Sequence, residues 1–118
     1  MSDQFNSLSG PIKMEVINKI DQLDLSTLDK VHLKLLVHCL EIFKDISSRN
    51  NVSFPTECQL MEWSEFEAKK LNDQNFSLLL FEQMNSAAQK LKDYSDSIGK
   101  KPLNLILDDL IILISKNN

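Results

Sequence analysis

Glycine is nearly absent from this chain: Gly10 and Gly99 are the only two in 118 residues. Neither a G-x-G-x-x-G turn nor a P-loop can be written, which excludes the nucleotide-binding enzymes built on those phosphate cradles. Proline is also scarce, with three. A β-sandwich or small barrel needs a turn roughly every eight to twelve residues, marked by Gly, Pro, Asn or Asp. The shortage points to long helices and few turns. Arginine is scarcer still. Arg49 stands alone among thirteen basic residues, and the net charge is −4. The basic, arginine-rich footprint of a nucleic-acid binder is missing overall. Only two cysteines occur, Cys39 and Cys58. They form no Cys-x-x-Cys pair, so a structural zinc site is not indicated. Two thiols without a secretory leader suggest a reducing compartment. Residues 1–13 lack the basic and apolar regions of a signal peptide. The longest apolar run is Leu110 to Ile114, whereas a membrane-spanning helix needs about 20 residues. The expectation is a cytoplasmic chain with no membrane association.

What is present is ordinary for a globular domain: 42% hydrophobic and 25% charged residues. A chain of this size can bury roughly two-thirds of the surface its unfolded form exposes, so it needs neither disulfide nor metal to fold. Residues 1–9 read as a polar tail, and 10–118 as one helical domain. Pro11 suits the first turn of a helix, and Ile12, Val16, Ile20 and Leu23 recur at helical spacing.

Ser26, with Asp29 three residues on, predicts a capped start for the second and clearest helix. Leu28, Val31, Leu35, Cys39, Ile42 and Ile46 fall on one stripe, and Leu33, Leu36, Val37, Leu40 and Phe43 widen it. The apolar arc spans roughly 200°, twice the width a surface helix needs. This helix therefore reads as central. Ser47–Ser53 reads as a polar loop. Thr56 with Gln59 is a second capping pattern, opening a helix to about Leu71 with Leu60, Trp63 and Phe66 as its apolar side. Asn72-Asp73 breaks it. A fourth helix follows from about Gln74 to Ile98, with Gly99 as its left-handed stop and Pro102 beyond. Leu103–Ser115 fits a helix better than a hairpin, because Asp108-Asp109 is a poor substitute for the Asn-Gly or Asp-Gly of a tight turn. The fold class is all-α: a compact single-domain bundle of about five helices.

No catalytic constellation emerges. His32 and His38 are six residues apart, about 240° round a helix, and cannot share an ion. Asp29 and His32 could touch, but no Glu-x-x-His pair accompanies them. Cys39 lies on the apolar stripe, where burial raises a thiol's pKa and quiets it. Cys58, in the first turn of the third helix, is the better candidate for a reactive thiol, although Glu57 and Glu62 oppose ionisation. The lysine clusters Lys69-Lys70, Lys90 with Lys92, and Lys100-Lys101 are explained in part by helix C-termini.

The reading is a protein-interaction or assembly module without catalysis, with no metal, cofactor or small-molecule ligand. Its partner would be another protein or a second copy. Leu78, Phe81, Ile111 and Ile112 are candidate interface residues, because the second, fourth and last helices carry more apolar surface than one-sided packing requires, and Trp63 joins them because tryptophan is enriched at interface hot spots, core being its alternative. A small regulator touching nucleic acid through its lysines, and a thiol enzyme at Cys58, are the alternatives.

Overall fold

A computed structural model describes residues 14–116. The tail at 1–9, the helix start at Pro11 and the apolar Ile12 lie outside the described residues. Within them the chain forms five α-helices and a short 3₁₀ turn, and no strand. These are α1 (Met14–Asp21), α2 (Thr27–Asn50), α3 (Glu57–Lys70), α4 (Phe76–Ser97), the 3₁₀ turn Pro102–Asn104, and α5 (Leu107–Lys116).

Local chemistry accounts for most boundaries. The Ser26 hydroxyl accepts the Asp29 amide at 3.1 Å and starts α2. Thr56 and Gln59 form a complete capping box at α3, each side chain bonded to the other's backbone amide, at 3.2 and 2.9 Å. Asn72 ends α3 in the left-handed region, φ 56°, and the Asp73 amide reaches back to the Ala68 carbonyl. Gly99, φ 72°, does the same for α4: the Lys100 amide closes on the Ser95 carbonyl at 2.9 Å. Both closures are Schellman motifs.

Two boundaries differ from expectation. Helix α2 runs four residues, Ser47 to Asn50, into the stretch that reads as loop. Ser47 is buried, and Asn51, φ 54°, supplies the stop instead. Polar composition at Ser47–Asn50 had masked a helical turn that the core requires. The last helix begins at Leu107 rather than Leu103, because Leu103 lies in the 3₁₀ turn that follows Pro102.

Helix α2 is central, packing against α1, α4, α5 and the 3₁₀ turn. Helices α3 and α4 make the most extensive pair, a helical hairpin joined by residues 71–75. Against α2, α4 runs antiparallel: His32 meets Lys90, while Cys39 meets Met84 further along. The core gathers Ile20, Leu33, Phe43, Leu60, Leu91, Leu110 and Ile114 from all five helices. The Phe43 and Phe54 rings add a tilted contact at 5.4 Å between centroids.

Candidate protein-binding surface

The wide apolar arc of α2 is only partly covered. Leu33, Leu36, Cys39, Leu40, Ile42, Phe43 and Ile46 are buried. Leu28, Val31 and Leu35, expected in the same stripe, are 77%, 56% and 52% exposed. Helices α1, α4, α5 and the 3₁₀ turn pack on α2 and leave this part of the stripe uncovered. Trp63 of α3 lines an apolar pocket of about 120 Å³ with Leu35, His38, Ile42, Leu80 and Met84.

The turn end of the α3–α4 hairpin is apolar too. Leu71, Leu78 and Leu79 are all exposed there, flanking the polar residues 72–75. Phe66, expected on the buried side of α3, is exposed with the Lys70 ammonium 4.6 Å from its ring centre.

The five candidate interface residues divide. Leu78 and Ile112 are half exposed or more. Phe81 and Ile111 are partly buried against the core. Trp63 is 7% exposed and belongs to the core, so an interface role for its indole is not what its position serves. The structure does not gather them into one patch, because α5 packs chiefly on α2 while Leu78 and Phe81 sit at the start of α4. The exposed leucines and valine of α2 were missed as surface. Their periodicity matches that of core residues, so spacing does not separate the two.

The titratable residues carry little that resembles catalysis. Burial pushes the Cys39 thiol up to about 12, and its sulfur lies 3.9 Å from that of Met84. Cys58 is exposed. Desolvation lowers the pKa of His32, the Lys90 ammonium lowers it further, and Asp29 opposes both. His38 is lowered by burial, against the pull of Glu41. Asp109 is lowered by the hydrogen bond from Lys100 and by the Ile106 amide. Among the described residues no three His, Cys, Asp or Glu side chains converge as metal ligands. The lysine clusters are partly spent within the fold: Lys70 pairs with Glu67 at 3.2 Å and Lys100 with Asp109 at 2.7 Å. No described helix is long and apolar enough to cross a membrane.

The family model for NDH complex assembly factor CRR9 matches residues 12–118. The chain belongs to the CRR9 family. No curated protein matches it, and no solved structure does. The CRR9 match takes in all five helices, so both the exposed half of α2 and the hairpin end lie inside the region that defines the family.

Proposed function

We propose that this chain is a non-catalytic assembly factor that works by protein contact, holding a component of the NDH complex against the turn end of the α3–α4 hairpin. The observation that carries the reading is the family match across residues 12–118. The exposed Leu71, Leu78 and Leu79 support the choice of surface, since apolar side chains clustered at one end of a hairpin resemble the centre of a protein interface. Leu78 keeps its place in the interface under this reading, and Trp63 becomes the residue that braces α3 behind it. Self-association belongs to the same reading, because the uncovered stripe of α2 lies on a different part of the surface from the hairpin end.

The test is complementation. Cells deprived of the chain should fail to accumulate the NDH complex. A version in which Cys58, His32 and His38 are replaced by Ser, Gln and Gln should restore it, because no step depends on their chemistry. A folded Leu78→Glu/Leu79→Glu variant should not. Loss of complementation by a folded Cys58→Ser variant alone would contradict the non-catalytic reading.

A further inference from the structure

Two features meet on one side of the molecule. Leu28, Val31 and Leu35 stand uncovered along α2. Beside Leu35, α4 presents Glu82, Ser86 and Lys90 at successive turns of one face, along a groove of about 420 Å³ shared with Leu35 and His32. The charges on that face run negative, neutral and positive. Ser86 is the midpoint, with Glu82 and Lys90 each about 6 Å away along the axis. Neither charge is satisfied by an ion pair among the described residues. The Lys90 ammonium lies instead 3.4 Å from His32 Nε2.

A two-fold axis turns a helix end for end. If it passes beside Ser86, Glu82 of each copy faces Lys90 of the other, and the small serine lets the two helices approach. The Leu35 side chain of each copy then enters the groove of its neighbour. Spacing that is antisymmetric in charge about a small residue is what a surface needs to be complementary to itself.

From this geometry we infer that the α2–α4 face is an isologous dimer interface, occupied by a second copy of this chain. It rests on the self-association part of the proposed function and leaves the hairpin end free for the NDH complex component.

Molar mass in solution, by light scattering on the full chain over a wide concentration range, tests it with charge swaps. The unaltered chain should reach twice 13.5 kDa. Glu82→Lys and Lys90→Glu should each weaken self-association about tenfold or more, because like charges then meet twice across the axis. Mixing the two single variants should restore a dimer, and the double variant should restore it alone. Leu35→Glu should give a monomer with unchanged helical circular dichroism. A monomeric unaltered chain would overturn the inference while leaving the assembly reading intact. So would a dimer indifferent to both single swaps, or single variants that fold yet fail to pair when mixed.

Discussion

Asp109 shows how much one side chain can settle. Its carboxylate accepts the Ile106 amide at 3.0 Å and the Lys100 ammonium at 2.7 Å. Ile106 cannot cap α5 with its own side chain, so Asp109, three residues later, performs the reciprocal half of a capping box. Both bonds favour the ionised form and lower its pKa. Folding therefore holds the group deprotonated where the unfolded chain begins to bind a proton. The stabilisation is complete above the ordinary value of 3.8 and is lost as pH falls through the lower folded value. Asp109→Ala should cost about 1 kcal/mol at neutral pH. In urea titrations the gap between variant and parent should stay constant from neutral pH down to about 5 and close in stronger acid. A gap that widens in acid would exclude this role. The two cysteines make a second residue-scale expectation. Cys58 is exposed and Cys39 is buried with a thiol at about 12. A thiol reagent at neutral pH should modify one cysteine promptly and the second only on unfolding. Two fast equivalents would show that the Cys39 site opens readily.

Elements were legible in the sequence wherever their ends are written locally. The Thr56–Gln59 box, the Ser26 cap and the Gly99 stop all use residues within a few positions of the boundary, and all three appear as read. Gly99→Ala tests the last. Nothing lies within 4 Å of the added methyl, so only the left-handed backbone resists it. The cost should be about 1 kcal/mol, measured by thermal or urea unfolding. A neutral substitution would mean that the α4 end relaxes without the Schellman closure. Boundaries that depend on distant partners were less legible. Helix α2 continues through Ser47 because that serine is buried, which no local pattern announces. The start of α5 waits until Leu107, tied by Lys100 across the intervening turn.

At the scale of the molecule, the all-α bundle and the central place of α2 follow from its wide apolar arc, and both were readable. Which apolar residues stay uncovered was not. Leu28, Val31 and Leu35 have the same spacing as Cys39, Ile42 and Ile46, and composition cannot tell which half of a stripe the neighbouring helices will cover. Phe43→Ala, at the fully buried centre, should destabilise the fold by about 3–5 kcal/mol in urea unfolding. Val31→Ala, on the exposed half, should change the stability of the monomer by less than about 0.5 kcal/mol. Equal losses would mean that the uncovered stripe is core after all. The central claim concerns what touches the hairpin end. Its most direct test is photo-crosslinking in the native setting, with a photoreactive residue placed at Leu78 and, as a control, at Asp93. The account predicts a covalent adduct between position 78 and a component of the NDH complex during assembly, and none from position 93. Normal assembly with no adduct at position 78, or the same adducts from both positions, would contradict it.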